Sequence, residues 1–461
     1  MLNSVDPFSY QITPDLGLMY LASSVRNAGL SVSLKDLRRD RWSFERLEKY
    51  VRAEQPMIAG VKCYSREVKR VKRMSELIRK ACPETRIVIG GPHPSMDPVG
   101  TLSVIPEADD VFLGESEFSF RDFALWVKAS GKGPPPESIP GIAYQEGGRA
   151  KVREPVFEND LEQLPLPAWD LLPPTDYPDE TTGIFAPGFP IAPMMLSRGC
   201  PFGCSYCGAQ YVMGRSIRYR PVANILEEIA LLEREYGVRN FSFVDDNFTC
   251  QREKAGALFE ALAKREKRIA FTFPNGVRPN TLDAGLLKIM EKAGCYSIAL
   301  GIESASDEIL SRMKKKQTRE EIVQAVNLIR STTAIKVTGF FILGYPGESL
   351  RDIQDTINFA ADLPLHHPHF CLFTPLPGTP VYQELQEQGL IPAQGLDPEH
   401  LTFDQPFALP GIPPKKLLRL HQSAYLKFYL KPWRIWNLLQ EIRSAGNLWM
   451  IIRRAIKLLG K

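Results

Sequence analysis

Over the first 130 residues the spacing of apolar positions alternates between a helical and a strand period. Leu16 to Ala28 has helical spacing and stops at Gly29, and Leu30 to Leu37 alternates as a strand does. Ser43 to Gln55 reads as a helix capped by Ser43, Met57 to Cys63 as a buried strand, and Glu67 to Ala81 as a basic amphipathic helix. Strands at Arg86–Ile89 and Asp110–Leu113 follow, and a helix from Glu117 to Ala129 closes the stretch. Strands alternating with helices predict a parallel sheet covered on both faces. Residues 1–132 are therefore expected to form an α/β, doubly wound domain of flavodoxin or Rossmann-like type.

From Gly133 to Pro193 the texture changes. This stretch holds 13 of the 38 prolines, and proline favours extended, semi-rigid chain over packed elements. Residues 133–191 read as a connector laid over two domains, with a small hairpin at Gly141–Val156 around Glu146-Gly147-Gly148. Residues 192–395 then repeat one strand–helix pattern six times. The strands are Pro193–Ser197, Phe241–Val244, Ile269–Phe273, Tyr296–Leu300, Lys336–Leu343 and Pro368–Phe373. Pro221 opens a helix with Ile225, Ile229 and Leu232 on one face, and the last helix spans Val381–Gln388. Six such units predict a partial (β/α)6 barrel, open on one side, with its chemistry at the carboxyl ends of the strands.

Residues 396–461 read as a basic helical segment. Residues 413–461 carry eleven Lys or Arg against one acid, Glu441, with Trp433, Trp436 and Trp449 interleaved. The run from Trp449 to Leu459 has the pattern of an interfacial amphipathic helix. The alternative is a basic cap packed on the barrel with its tryptophans in the core.

Composition narrows the class further. A chain of 461 residues suffices for two or three domains, each with its own core. Hydrophobic content of 44% and charged content of 24% are ordinary for a globular protein. The net charge of +4 is too small to argue for nucleic acid. Eight scattered cysteines point to a reducing compartment rather than a disulfide framework. The opening residues carry no signal-peptide pattern, and no apolar run reaches the ~20 residues of a membrane span. The expected location is the cytoplasm, with peripheral membrane contact if the C-terminal segment lies on a bilayer.

The most specific chemistry is the run Cys200-Pro-Phe-Gly-Cys204-Ser-Tyr-Cys207. Three thiols at this spacing can wrap one iron–sulfur cube, which normally takes four cysteines. Cys250, Cys295 and Cys371 are isolated and far along the chain, so one iron is left for an outside ligand. A zinc knuckle is the plainer alternative, but zinc prefers four ligands in paired units, and no second pair follows. Unusual residues also gather after the other barrel strands: Asp245-Asp246-Asn247, then Asn275 and Arg278, Gly301-Ile302-Glu303-Ser304, Gly344-Tyr345-Pro346-Gly347-Glu348, and Thr374 to Thr379. Together they predict a ligand-binding rim.

The cysteine run resembles the signature of the radical S-adenosylmethionine (SAM) superfamily, with Tyr206 in its aromatic slot. The resemblance implies a 4Fe-4S cluster on Cys200, Cys204 and Cys207. SAM would be held at the open iron and cleaved to methionine and a 5′-deoxyadenosyl radical, using electrons from a flavodoxin or ferredoxin. It also implies roles at the rim. Asp246, where the family has a Gly-Gly-Glu motif, would face the SAM amino group, and Arg278 the carboxylate through paired donors. Glu303 would face the ribose or amino group, and Gly344 and Gly347 would let backbone approach the adenine. Glu348 reads as the opening residue of a helix.

In the first domain, Gly90-Gly91-Pro92-His93-Pro94 and Gly114-Glu115-Ser116-Glu117 each follow a strand, where a doubly wound sheet makes room for a large ligand. With the domain order and the run Leu164-Pro165-Leu166-Pro167-Ala168-Trp169-Asp170, they are similar to the cobalamin-binding class of radical SAM enzymes across residues 1–390. Relatives of this kind include the anaerobic magnesium-protoporphyrin ester cyclase and the hopanoid and phosphinate methylases. The resemblance implies a cobalamin between the two domains, near Gly90, Gly91, His93, Gly114 and Glu115. Because no Asp-x-His-x-x-Gly is present, no histidine is poised to ligate cobalt, and His93 reads as a loop residue near the corrin edge. The implied activity is C-methylation of an unactivated carbon in a small molecule, a lipid or tetrapyrrole among the candidates. A radical cyclase or oxidase with the same cofactors is the alternative, and a non-enzymatic cluster-binding module is the alternative from another class. Cys63, Cys82, Cys250, Cys295 and Cys371 read as small core residues, and the alternative for Cys371, on the last barrel strand, is a hydrogen-atom donor facing the substrate.

Overall fold

A computed structural model describes residues 2–3, 12–129, 131, 133–178, 186–397, 401–402 and 405–442. The first unit runs β1 (Leu2–Asn3), α1 (Leu16–Asn27), β2 (Lys35–Asp36), α2 (Phe44–Glu54), β3 (Ile58–Lys62), α3 (Val68–Ala81), β4 (Arg86–Gly90), α4 (Pro92–Met96), α5 (Pro98–Val104), β5 (Asp110–Phe112) and α6 (Glu117–Lys128). Helix starts follow local chemistry. Asp15 accepts from the Leu18 N–H to cap α1, and Ser43 from the Arg46 N–H to cap α2, as predicted. The five strands are parallel and lie in the order β2-β1-β3-β4-β5, the flavodoxin-like doubly wound arrangement.

The hairpin β6 (Ile142–Glu146) and β7 (Arg149–Val152) turns through Gly147 and Gly148, both at positive φ. Sequence places it in the connector. In the fold β6 pairs antiparallel with β5, Val111 opposite Ala143, so the hairpin extends the first sheet and makes it mixed. The strand predicted at Leu30–Leu37 shortens to two residues at the sheet edge, where a short strand limits unwanted pairing.

The second unit comprises β8 (Ile191–Met194), β9 (Ser197–Arg198), α7 (Ala209–Met213), β10 (Arg218–Tyr219), α8 (Val222–Tyr236), β11 (Asn240–Phe243), α9 (Arg252–Ala263), β12 (Ala270–Val277), α10 (Ala284–Ala293), β13 (Cys295–Glu303), α11 (Asp307–Arg312), α12 (Arg319–Thr332), β14 (Lys336–Leu343), α13 (Leu350–Asp362), β15 (His367–Leu372) and α14 (Pro380–Glu387). Its six long strands form a parallel sheet in the order β8-β11-β12-β13-β14-β15, while β9 and β10 make a small antiparallel ladder beside the cysteines. Under the sheet lies an aromatic seam, with Phe243 and Phe271 centroids 4.8 Å apart and Phe248, Phe259 and Phe273 around them. Each such ring contributes about 1.5–3 kcal/mol by leaving water.

The two units share one core. Leu16, Met19 and Tyr20 of α1 join the second unit's apolar cluster together with Leu164 and Trp169. Trp169 Nε1 donates to Glu228 at 3.0 Å, and Ser23 Oγ to the Leu166 carbonyl at 2.7 Å. At the far edge α15 (Pro414–Tyr429) buries Leu417, Ala424 and Phe428 against the barrel. His421 and Tyr425 bond the Phe370 backbone, closing the edge strand β15. On α16 (Pro432–Glu441) Trp433 and Trp436 are exposed, so these tryptophans are not core residues. Trp449 and the predicted helix to Leu459 lie outside the described residues. Among the described residues no helix is long and apolar enough to cross a membrane.

Candidate active site

After β9 the chain enters the cysteine loop at Gly199, whose φ is +88°. A Cβ there would fall 2.2 Å from the Ser216 carbonyl oxygen, so the close crossing requires glycine. The Cys200 N–H donates to the Gly214 carbonyl at 3.2 Å and the Cys207 N–H to the Cys204 carbonyl at 3.1 Å. Ser205 anchors the loop on three sides. Its N–H donates to Met313, its carbonyl accepts from the Val381 N–H, and its hydroxyl pairs with the Tyr345 hydroxyl at 2.8 Å. Cys204 is buried, Cys200 and Cys207 are half-buried, and all three are free. Burial pushes the Cys207 thiol up to about 12 and raises that of Cys200 as well. A bound iron centre would have to draw those protons off. Among the described residues no three His, Cys, Asp or Glu side chains converge on a single-ion site. A cubane takes each thiolate on a different iron, so its ligands need not meet at one point.

Arg278 follows β12, buried, with its guanidinium carbon 3.8 Å from the Phe202 ring centroid. Its Nη1 lies 3.9 Å from Cys204 Sγ, and its Nη2 donates to the carbonyls of Lys315 and Lys316. Those bonds tie the cysteine loop to the chain beyond β13, and Nε alone stays buried without a partner. Glu303 ends β13 at φ +67°. It accepts from Lys315 Nζ at 2.7 Å, and its charge, after burial, helps raise the nearby Tyr206 hydroxyl. Lys314 and Lys316 also have positive φ, so three of five such described non-glycine residues surround this one ion pair. That conformation is uncommon outside glycine and marks a site over-determined by its surroundings. Lys315 escapes sequence reasoning because Lys314-Lys315-Lys316 looks like a solvated run.

At the end of β11 the two acids separate in role. Asp245 accepts from the backbone N–H groups of Leu196 and Ser197 and from the Ser197 hydroxyl, so it fixes the approach to the cysteines. Burial holds Asp246 up at about 6, and it is close enough to raise the Cys200 and Cys207 thiols. Asn247 is 1% exposed, yet neither its side-chain nitrogen nor its oxygen has a partner. Such orphaned polar atoms call for a ligand or water.

The glycines predicted to face adenine, Gly344 and Gly347, are closely covered on their Cβ side. A Cβ on Gly344 would meet Leu417 at 2.5 Å, and one on Gly347 would overlap Arg312. Their room is filled by the chain itself. Glu348 accepts from the N–H groups of Gly344 and Tyr345 and so closes that turn, and Ser349 caps the helix. Cys371 is half-buried on β15, and its thiol is raised to about 12 by burial and then by Glu303.

The first unit meets the cysteine loop directly. Pro92–Met96 is a short helix rather than a loop, and it packs on α7. A Cβ on Gly208 would lie 2.5 Å from Met96 Sδ, and one on Gly378 only 2.3 Å from the Met96 carbonyl oxygen. His93 is buried with Nδ1 3.1 Å from Ser65 Oγ, so it is a packed residue and not a loop residue. Gly91 crosses Lys62 and Cys63 closely, and Gly114 is covered by Pro155 and Phe157. Glu115, three residues beyond β5, pairs with Arg218 at 2.6 Å and Arg198 at 3.4 Å, both of the second unit.

A doubly wound domain docked by its strand ends onto a three-cysteine loop at a barrel mouth is a specific arrangement. Residues 9–124 match the model of the B12 binding domain, and residues 194–360 match that of the radical SAM superfamily. An uncharacterised methyltransferase of Pyrococcus horikoshii is 30% identical over 446 residues, 96% of this chain and 93% of that protein. The chain belongs to the cobalamin-binding radical SAM family. It is thus an enzyme of the radical SAM superfamily. The anaerobic magnesium-protoporphyrin IX monomethyl ester cyclase of Cereibacter sphaeroides is 26% identical over 433 residues, covering 91% of this chain and 69% of the cyclase. The radical SAM methyltransferase TsrM from Kitasatospora setae, solved with cobalamin and a 4Fe-4S cluster, shares the fold. Its TM-score is 0.70 at 19% identity, over 84% of this chain and 77% of that one.

The family's cofactors are a 4Fe-4S cluster, SAM and cobalamin, and the residues fit them. Three soft thiols, an adjacent acid in Asp246, and the orphaned groups of Asn247 and Arg278 suit a cluster and a zwitterionic, cationic ligand. The first domain offers the flavodoxin-like strand order for a large ligand, while Gly91 and Gly114 are closely covered by the chain on their Cβ side and His93 is already engaged by Ser65.

Proposed function

We propose that this enzyme transfers a methyl group to an unactivated carbon of a small-molecule substrate. The observation that supports the reading is the contact of α4, which follows Gly90-Gly91, with α7 directly after the cysteines, since it brings the two loops assigned to cofactors side by side. When bound, the cluster supplies an electron that splits SAM, and cobalamin supplies the methyl group. Cys200, Cys204 and Cys207 hold the cluster. Asp246 and Glu303 receive the ammonium and ribose of SAM, and Tyr206 and Lys315 fix the Glu303 carboxylate for that task. Arg278 faces the SAM carboxylate with its free Nε while its other nitrogens hold the loop. Gly90, Gly91 and His93 form the floor on the cobalamin side. Docking of the two units keeps water from the chamber.

A flavodoxin or ferredoxin is the expected reductant, in a reducing compartment such as the cytoplasm. Leu430, between α15 and α16, and Trp433, Trp436 and Leu439 on α16 are exposed, close along the chain to Lys427 and to Lys431, which pairs with Asp362 at 3.1 Å. That pairing of tryptophan and base suits an anionic lipid surface, and hence a lipid or tetrapyrrole substrate. Replacing both Trp433 and Trp436 by alanine is expected to reduce co-sedimentation with anionic liposomes, and equal sedimentation would remove the membrane reading.

The direct test is turnover with SAM labelled in its methyl group, using tetrapyrroles and isoprenoid lipids as substrates. Label in the product supports methylation. Substrate-dependent 5′-deoxyadenosine with a new ring or oxidised carbon and no label would favour the cyclase reading instead.

A further inference from the structure

Arg218 opens β10, just beyond the cysteine loop, and each of its five N–H groups meets an acceptor. Nη1 donates to the Glu115 carboxylate at 2.8 Å and to the Glu158 carbonyl at 2.6 Å. Nη2 donates to the other Glu115 oxygen at 2.6 Å and to the Met213 carbonyl at 2.6 Å, and Nε to the Ser216 carbonyl at 3.2 Å. Met213 and Ser216 bracket Gly214, whose carbonyl receives the Cys200 N–H. The same strip lies against Gly199, whose missing Cβ would strike Ser216. One guanidinium therefore fixes the backbone on which the first cysteine rests, and a bidentate pair ties that backbone to a carboxylate of the B12-binding domain. Arg198, two residues before Cys200, repeats the tie from the other side through Glu117 at 2.7 Å. All four charged side chains are at most 9% exposed.

We propose that Arg218 is a positioning residue for the three-cysteine loop, and that Glu115 sets its position from the other domain. The Gly-Glu-Ser-Glu run then serves the cluster rather than the corrin, and cluster stability depends on the docking of the B12-binding domain. The inference holds whether the product is methylated or cyclised. A lysine at 218 would keep the charge but lose the fork and two of the five donors.

The test uses the full chain, reconstituted anaerobically with iron and sulfide. Two readouts are independent of turnover: the rate at which a chelator strips the cluster, and hydrogen exchange over residues 199–216. Arg218→Lys and Glu115→Gln are each expected to speed cluster loss about tenfold, the scale of outer-shell changes at metal sites, and to raise exchange in that strip. The result for Glu115→Gln is the telling one, since Glu115 belongs to the other domain. Asp110→Asn is the control. It breaks the buried Arg86–Asp110 pair at 2.6 Å within the first sheet and should move neither readout. Parental values in Glu115→Gln, or equal changes in Asp110→Asn, would overturn the proposal. Should Arg218→Lys fail to fold, the comparison of Glu115→Gln with Asp110→Asn decides by itself.

Discussion

Lys315 carries the charge balance of the rim, because among the described residues its ammonium is the one cation bonded to the Glu303 carboxylate, and both are buried. Lys315→Met leaves that carboxylate without its partner, at a cost of about 3–5 kcal/mol. Thermal denaturation should show a drop of several degrees, and adding Glu303→Gln should restore most of it. A double variant as unstable as the single one would contradict the pairing. Cys204→Ala is expected to remove most bound iron after reconstitution and to abolish 5′-deoxyadenosine formation with dithionite. Retention of either would remove the cluster assignment. The cysteine loop was legible because its three thiols stand in one short run and so leave a local spacing. The partners of Glu115 and Lys315 lie far along the chain or inside a charge run, so no local pattern reports them. Asp245 and Asp246 stand side by side in sequence, and only the fold separates a backbone-binding acid from one that faces the cysteines.

At the scale of elements, the junction between α4 and the barrel depends on two glycines that lack equal tolerance. Gly208→Ala meets the mobile end of Met96 and should cost little, whereas Gly378→Ala meets a backbone carbonyl at φ +80° and has no way to yield. Gly378→Ala is expected to lower the melting temperature by several degrees and Gly208→Ala to leave it nearly unchanged; equal effects would argue against this packing. Glu348 gives the turn after β14 a pH signature. Burial, partly offset by two backbone N–H groups, raises its carboxyl from 4.5 to about 8. The fold thus binds this proton more tightly than the unfolded chain. The stability it contributes is full below about pH 4.5 and is lost as pH rises through 8. Glu348→Gln should flatten that part of the pH–stability curve, and a variant that follows the parent between pH 5 and 9 would contradict the assignment. Strands and helices were readable from period and caps, as at Ser43 and Lys336–Leu343. The ownership of the β6–β7 hairpin was not, because the choice of sheet edge is a long-range pairing that alternation alone does not encode.

For the molecule as a whole, the doubly wound domain and the barrel are joined by α1, the proline-rich segment and a buried set of four charges, and so pack as one body rather than two tethered modules. The domain order was legible from composition and from the two glycine runs. Their mutual docking was not, since it rests on Met96 against Gly378 and Glu115 against Arg218. The most direct measurement is electron paramagnetic resonance of the anaerobic full chain with its cluster reduced and its cobalamin in the cob(II)alamin state. Mutual broadening of the two signals, absent from Cys204→Ala, is the expected result. Two sharp, independent signals would place the cofactors in separate sites and contradict the shared chamber.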